Sequence, residues 1–338
     1  MERRKVQQVG GSTYTVSLPK AWAERVGVTA GSTVNIDVHG DEQLVVEPDT
    51  PTTGVDPRLT LAAGDDSPDW LAWTVRAAYR AGVEELVLRA PEGFSPAQRR
   101  SVERAATGFV GVALTTETET ELVVRALLDA AEVSVIQSVR QLRFTVLSMH
   151  RDATAALTGT TDPRVEDRYE EAVRLAVMVD RHFGRGLVRL DEVDALGLSR
   201  SELFELRTAA RALSRVAEEA TTLAAAAAAV DAVPEAVSAS ALETAGRDAR
   251  SVVECATAVV VGDADDAAAM EALEACESVR AALEGIDERL AAANADYRLG
   301  RVVDTLDRTA RHGGDIAELG LQTTMRREER SEAVTEAE

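Results

Sequence analysis

From Glu132 to Gln322 the chain repeats apolar residues at intervals of three and four, and this periodicity limits the possible folds more than any other feature. Residues at this spacing share one face of an α-helix. The pattern is plain in five residues: Val133, Ile136, Val139, Leu142 and Val146. Four breaks interrupt it: Gly159–Pro163, Leu190–Ser199, Ala229–Pro234 and Gly262–Asp265. The spacing of the breaks predicts about six long helices packed as bundles.

The helical half also repeats itself. The segment that begins at Leu213 aligns with the segment that begins at Leu306. Each segment follows a helix that carries a single apolar–Asp pair, Val179–Asp180 in one case and Ile286–Asp287 in the other. Self-similarity of this kind indicates a duplicated structural unit. The sequence therefore predicts two three-helix bundles in tandem.

Residues 3–48 have a different character, because their pattern predicts four short strands and one helix. Gly10 and Gly11 mark a tight turn, Pro19 suits the first position of a helix, and a second hairpin turns at Gly40. Five residues supply the apolar positions of the first two predicted strands: Val6, Val9, Tyr14, Val16 and Leu18. A module of fewer than about 50 residues buries too little apolar surface to be stable alone, so we expect it to dimerise.

Residues 49–57 are rich in Asp, Pro and Thr and read as a linker. The stretch that follows alternates strands, at Leu59–Leu61 and Leu86–Leu88, with helices, the second of them capped by Ser95. Two further strands lie near Val112 and Glu121. This order predicts a small α+β domain.

The net charge is −21, and the only two lysines are Lys5 and Lys20. Acidity with little lysine and few aromatic residues is typical of halophilic proteins, in which acidic groups solvate the surface at high salt. A local basic cluster is therefore more informative than the overall sign. Five cations fall within residues 1–25 and are the candidates for contacts with DNA phosphates: Arg3, Arg4, Lys5, Lys20 and Arg25. The alternative is that they lie on the rim of a dimerisation module.

Several functional classes are not expected. No apolar run approaches the roughly 18 residues of a membrane span, and the first residues lack the apolar region of a signal peptide, so we expect a cytoplasmic protein without membrane insertion. Cys255 and Cys276 are expected to be reduced thiols. Glycine-rich phosphate loops and Ser/His/Asp groupings are absent from the sequence, which predicts that the chain is not an enzyme.

The N-terminal residues resemble the AbrB/MazE/SpoVT swapped-hairpin DNA-binding domains. The resemblance is carried by Thr15–Lys20 (TVSLPK), Val26–Val28 (VGV) and Ala30–Gly31. It implies a homodimer formed through exchanged hairpins that binds DNA, although some members of this fold bind a protein partner instead.

The helical repeat resembles PhoU, the phosphate-uptake regulator. Seven residues near the C-terminus match its second motif: Leu306, Asp307, Arg308, His312, Ile316, Ala317 and Glu318. The first repeat retains Leu213, Arg215, Val216, Glu218, Leu223 and Ala224. The resemblance implies two three-helix bundles whose carboxylates hold metal ions, and a membrane partner, the phosphate ABC transporter or its ATPase.

The chain departs from the PhoU pattern at half of the carboxylate positions, where it has Ala176, Leu283, Ser214 and Arg311. The remaining candidate ligands for a divalent, iron or zinc ion are Asp180 with Glu218 and Asp287 with Asp307. The alternative is that these carboxylates are ion-paired or solvated, and that Arg311 replaces a cation beside Asp287 or Asp307.

The predicted fold class is multidomain, α+β and all-α. It comprises a swapped-hairpin β-domain at 1–50, a small α+β domain at 56–128, tandem PhoU-like three-helix bundles at 132–325 and a charged tail at 326–338. The α+β segment resembles the one found between the other two modules in archaeal PhoU-like regulators. The resemblances imply a DNA-binding transcriptional regulator of phosphate homeostasis coupled to the phosphate transporter. The alternative is a transporter-inhibiting adaptor whose N-terminal domain only dimerises, and a metal-dependent enzyme is a third, less favoured class.

Overall fold

The chain divides into two compact units, Met1–Val55 and Asp56–Glu338. The computed structural model describes residues 3–39, 43–48, 58–158, 165–230, 234 and 237–337. This confirms the prediction of a multidomain chain with a small N-terminal β-unit and a mostly helical remainder. The predicted linker at 49–57, the turn at Gly40 and the predicted break at 159–163 lie outside the described residues. The predicted domain boundaries stay predictions.

The N-terminal unit consists of two hairpins and one short helix. Strand β1 (Gln7–Val9) pairs antiparallel with β2 (Thr13–Thr15), and β3 (Val34–His39) pairs antiparallel with β4 (Gln43–Pro48). Helix α1 (Lys20–Arg25) lies between the hairpins in sequence. Gly10 in the first turn has a φ of 72°, a left-handed conformation that glycine adopts without steric cost.

The second unit begins with a four-stranded sheet in the order β5–β6–β8–β7. Strand β5 (Arg58–Ala62) runs parallel to β6 (Glu85–Arg89), whereas β8 (Glu121–Ala126) is antiparallel to both β6 and β7 (Val112–Glu117). Helices α2 (Pro68–Arg80) and α3 (Pro96–Thr107) pack together, and their apolar faces share one core with the sheet. Its members include Leu71, Val75, Val102, Leu86, Leu88 and Leu122. Ser95 caps α3 reciprocally with Gln98, so the predicted cap is confirmed.

Six long helices dominate the described part of the remainder. They are α4 (Val135–Ala155), α5 (Val165–Gly186), α7 (Arg200–Ala228), α8 (Ala239–Val260), α9 (Asp266–Ala292) and α10 (Tyr297–Ala337). Helices α4, α5 and α7 pack on one another, as do α8, α9 and α10, and α10 also packs along α7. Val139, Leu142 and Val146 are completely buried, which confirms the predicted apolar face of α4. None of the helices in the described residues has the length and hydropathy needed to cross a bilayer.

The helix boundaries differ from the prediction in three places. The predicted break at 190–199 contains a short helix, α6 (Leu190–Leu196), which Gly197 ends in the left-handed conformation. An unpredicted break at 293–296 separates α9 from α10; Asn294 has a φ of 47°, and the amide of Ala295 bonds back to the carbonyl of Leu290. Helix α10 continues to Ala337, through residues predicted to form a tail.

The α+β region is joined to the helices by buried charges on α5. Arg181 donates to the backbone carbonyls of Tyr79 and Val83 at 2.8 and 2.9 Å, just where α2 ends. Arg185 and His182 both contact Glu192 of α6 at 2.6 Å. Burial would raise the pKa of the Glu192 carboxyl, but these hydrogen bonds outweigh it and hold the pKa below its usual value.

Helix α5 approaches α2 closely because Gly184 has no side chain. A Cβ atom at this position would lie 3.0 Å from the carbonyl oxygen of Arg80. The structure gives the reason for glycine here, because the end of α2 lies directly against the backbone of α5.

A second buried polar cluster lies where α4 meets α8 and α10. His150 is completely buried, and its Nδ1 lies 3.3 Å from a guanidinium nitrogen of Arg250. A guanidinium group only donates, so Nδ1 accepts, and Nε2 carries the proton that it shares with Thr309 Oγ1 at 3.2 Å. Burial, together with the charge on Arg250, lowers the pKa of His150 to about 3.

This cluster predicts an acid-sensitive stability. The folded chain keeps His150 neutral down to about pH 3, whereas the unfolded chain protonates it below about pH 6.5. The free energy of unfolding should therefore fall by roughly 1.4 kcal/mol for each pH unit below 6.5 because of this group alone. Denaturation of the wild type and of His150→Gln between pH 7 and 5 measures it: the stability advantage of the wild type should shrink by this slope. Parallel pH profiles would contradict the prediction.

Candidate nucleic-acid interface

The five predicted DNA-contacting cations all lie in the N-terminal unit and are all exposed. Arg3, Arg4 and Lys5 occupy the segment just before β1, so they extend from the start of the first hairpin. Lys20 and Arg25 are the first and last residues of α1. Lys20 lies 3.6 Å from Glu24 one turn later, an exposed pair that contributes little energy and leaves Lys20 accessible to phosphate.

The first hairpin carries polar side chains between these cations. Gln7 and Gln8 lie opposite Thr15 and Tyr14, and Ser12 and Thr13 follow the turn. All of these residues are exposed. Their amide and hydroxyl groups can donate to phosphate oxygens or base edges.

Seven of the large apolar residues described in this unit are exposed as well. They range from 36% exposed at Leu18 to 73% at Tyr14, and the set is Val6, Val9, Tyr14, Val16, Leu18, Ile36 and Leu44. No side chain described in the N-terminal unit is buried. The described residues of a single copy therefore form the hairpins and the helix without a buried hydrophobic core to stabilise them. Apolar groups placed so regularly on such small elements require a partner surface.

Residues 7–53 match the family described as "Antidote-toxin recognition MazE, bacterial antitoxin". The match spans α1 and both hairpins, and each hairpin carries exposed apolar residues. No curated protein matches the chain. The family match supports the predicted N-terminal hairpin domain and leaves the helical half without a counterpart.

The first pair of predicted metal ligands is separated in the structure. Asp180 accepts hydrogen bonds from Arg207 at 2.7 Å and from Arg211 at 3.1 Å. Burial raises the pKa of Asp180, but these two arginines outweigh it, so the net pKa lies below its usual value. Glu218 is exposed, and it follows Arg211 by about two turns of α7, roughly 10 Å along the axis. Asp180 and Glu218 therefore do not form a shared site.

The second pair shows the same arrangement. Asp307 accepts from Arg280 at 3.3 Å and from Arg311 at 2.6 Å, so Arg311 takes the place of a cation beside Asp307. Asp287 is exposed, about two turns beyond Arg280 on α9. Within the described ranges, no group of three or more His, Cys, Asp or Glu side chains is arranged to hold a metal ion. These residues do not fit the metal clusters that the PhoU resemblance implies.

One contact between the repeats was not anticipated. Arg308 of α10 donates to Glu219 of α7 at 2.9 Å, where the two helices pack together. Glu219 occupies the position in the first repeat that His312 occupies in the second. The alignment of the repeats places Glu219 at this position, but glutamate differs from the histidine of the family motif. The sequence analysis therefore did not identify Glu219 as a partner of Arg308.

Because the exposed apolar residues need a partner surface, we expect the substitution Val16→Asp to unfold the N-terminal unit. A charge at this position opposes the burial that a partner surface would provide, and the unit has no other core. Hydrogen exchange of the full chain should show loss of protection in residues 3–48, with residues 58–327 unchanged. Ser17→Asp places the same charge on the adjacent exposed residue and serves as the control, since neighbouring residues of an extended segment face opposite sides. Retained protection in Val16→Asp would contradict the prediction.

Proposed function

We propose that the chain is a homodimeric cytoplasmic regulator that binds DNA through its N-terminal unit. The observation that carries the proposal is that the described residues of this unit bury no side chain and expose seven large apolar side chains, while five exposed cations lie in the same unit. A second copy would cover the apolar side chains, and the cations of both copies would then form one positively charged surface. In this proposal the chain binds and carries out no chemical reaction.

The family match supports this function. Domains like MazE and AbrB typically dimerise and bind DNA, and the match covers the hairpins that carry Gln7, Gln8 and Thr13. The electrostatics agree, because DNA phosphates attract a basic surface and release counterions when it binds. The remainder of the chain is strongly acidic and repels DNA, so binding would be confined to the N-terminal unit.

The second part of the proposal concerns the signal to which the regulator responds. The resemblance of the helical half to PhoU supports a regulator of phosphate uptake whose helices respond to the phosphate ABC transporter or its ATPase. Binding at the helices would change the DNA affinity of the N-terminal unit only if the two binding events are thermodynamically coupled. The arrangement of α4, α5 and α7 beside α8, α9 and α10 is compatible with such a body.

The description of the matched family, which concerns recognition of a toxin by its antidote, favours a second candidate function, the binding of a protein partner. In that case the exposed apolar residues of the N-terminal unit, or a segment near them, would bind a protein partner. The adaptor function, in which the unit only dimerises and the helices inhibit a transporter, belongs to the same class. Both candidates predict no dependence of DNA affinity on the N-terminal cations.

DNA binding is tested by Lys5→Ala and Lys20→Ala. Each lysine that neutralises one phosphate contributes about 0.9 to the slope of log affinity against log salt. Because a dimer carries each residue twice, each variant should weaken binding to a mixed-sequence duplex and lower the slope by about 2. Fluorescence anisotropy over a salt series measures both quantities.

Arg100→Ala is the matched control, because Arg100 is an exposed cation of the second unit. It should change neither the affinity nor the slope. If the two lysine variants behave like Arg100→Ala, the DNA-binding proposal is wrong and a protein-binding function is favoured.

The phosphate proposal predicts a response in the source cells. Occupancy of promoters by the chain should differ between phosphate-replete and phosphate-starved cultures, as measured by chromatin immunoprecipitation. Lys20→Ala should reduce occupancy under both conditions. Occupancy that is strong but indifferent to phosphate would retain the DNA-binding function and reject the phosphate signal.

A further inference from the structure

Helices α4 and α8 pack antiparallel and approach each other closely at Gly246. Arg140, in the first half of α4, donates to the carbonyl of Val261 at the end of α8. Thr154, at the end of α4, instead lies against Gly246 in the first half of α8. A Cβ atom at Gly246 would lie only 2.8 Å from Cγ2 of Thr154, so glycine allows this approach. The contact region between the two helices is called the α4–α8 junction below.

Arg250 lies one turn after Gly246 and enters the α4–α8 junction. One of its terminal nitrogens lies 3.3 Å from Nδ1 of His150 and donates to Oγ1 of Thr154 at 3.1 Å. A guanidinium group carries donors on all three of its nitrogens, and only one nitrogen is used here. Nε and the other terminal nitrogen bond to no described residue, and neither is sealed from solvent. Arg250 therefore has donors available to a ligand that approaches from outside.

Arg250 also lies in an excess of positive charge. Within the described ranges no carboxylate forms an ion pair with it. Burial lowers the pKa of Arg250, and the charges of Arg151 and Arg247 lower it further, to about 10. Asp152 and Asp248 act in the opposite direction, but each acts more weakly than either arginine. The side chains around Arg250 therefore do not balance its charge.

The two aspartates have other neighbours. Asp152 accepts hydrogen bonds from Arg168 of α5 and from Arg151, the second at 3.4 Å. Asp248 borders the groove between α8 and α9. Arg247 is exposed and forms no ion pair with any residue that the structure describes. Negative charge at the α4–α8 junction would therefore have to come from a ligand.

We propose that Arg151, Arg247 and Arg250 bind one tetrahedral oxyanion of the phosphate class at the α4–α8 junction. Arg247 and Arg250 are three residues apart on α8, so they extend from the same side of that helix, and Arg151 extends from α4. Guanidinium groups match phosphate oxygens with paired donors. The proposal goes beyond the proposed function, because it assigns a ligand to the helices whether or not the chain binds DNA.

The bound anion would also link the two groups of helices. Helix α4 packs with α5 and α7, whereas α8 packs with α9 and α10. An anion held by arginines of both α4 and α8 would add a contact between these groups that exists only in the bound state. Its binding would therefore favour any arrangement in which the α4–α8 junction is closed.

A small anion fits this place better than a nucleic acid. A duplex needs a row of cations along its backbone, whereas these three arginines converge on one half-buried side chain. The chain as a whole carries a net charge of −21, which repels a long polyanion. Ionic contacts of a half-buried group are also screened less by salt than those of an exposed group.

Equilibrium dialysis of the full chain against radiolabelled inorganic phosphate, at an ionic strength fixed with KCl, tests the proposal. The wild type should bind phosphate saturably, with one phosphate per chain. Arg247→Gln should weaken binding by at least about tenfold, because it removes one charge-assisted contact. Without phosphate this variant should unfold at a temperature no lower than that of the wild type, since it loses a repelling cation and no ion pair. Absence of saturable binding to the wild type would overturn the proposal.

Two further variants are the controls. Arg247→Lys keeps the charge but loses the paired donors, so its affinity should lie between those of the wild type and Arg247→Gln. Arg100→Gln removes the same charge from an exposed position on α3 and should bind phosphate like the wild type. Equal weakening by Arg100→Gln and Arg247→Gln would mean that phosphate responds only to overall charge, and would reject the site.

Competition and DNA binding complete the test. Displacement of phosphate by glycerol phosphate would show that the site accepts phosphate monoesters, and a failure to displace it would assign the site to the free ion. A lower salt slope of DNA binding in Arg247→Gln would assign the arginines to DNA and overturn the proposal. A chain that binds DNA but no phosphate would overturn this proposal alone. Phosphate binding without DNA binding would overturn the proposed DNA-binding function alone.

Discussion

The constraint on which the rest of the structure depends is the burial of apolar surface. In the N-terminal unit the described residues form two hairpins and a helix but bury no hydrophobic core. Its strands have the alternating pattern that normally places one face in a core, yet Tyr14, Val9 and Ile36 remain mostly exposed. The backbone hydrogen bonds within a two-stranded hairpin contribute too little free energy to keep it folded without burial of apolar surface. This deficit is the reason for the proposed homodimer, in which a second copy would cover the exposed apolar side chains.

The second unit meets the same requirement within one chain. Its two groups of three helices and its sheet bury continuous apolar cores, and charged groups are used at the junctions between elements. Arg181, Arg185 and Glu192 join α5 and α6 to the end of α2, while His150 and Arg250 lie between α4, α8 and α10. Removal of one member of a buried pair leaves an uncompensated polar group, so these junctions fix the arrangement of the elements.

Arginine side chains lie beside two of the carboxylates that the sequence predicted as metal ligands. Asp180 and Asp307 each accept hydrogen bonds from two guanidinium groups, which supply the positive charge that a metal ion would bring. Planar guanidinium groups suit this task because they remain charged and donate in a fixed geometry.

The sequence by itself determined the type and order of most elements, because hydrophobic periodicity, capping residues and turn glycines are local signals. The four N-terminal strands, the Ser95 cap and the apolar face of α4 followed from them. Local signals did not predict the helix break at Asn294, where no glycine or proline marks the left-handed residue. They also did not explain Gly184, where the close approach of a neighbouring helix requires glycine. Only the tertiary structure decided which charges meet, and that Asp180 contacts Arg207 and Arg211 while Glu218 remains exposed. These depend on how distant elements pack, and spacing along one chain does not encode the distance between two helices.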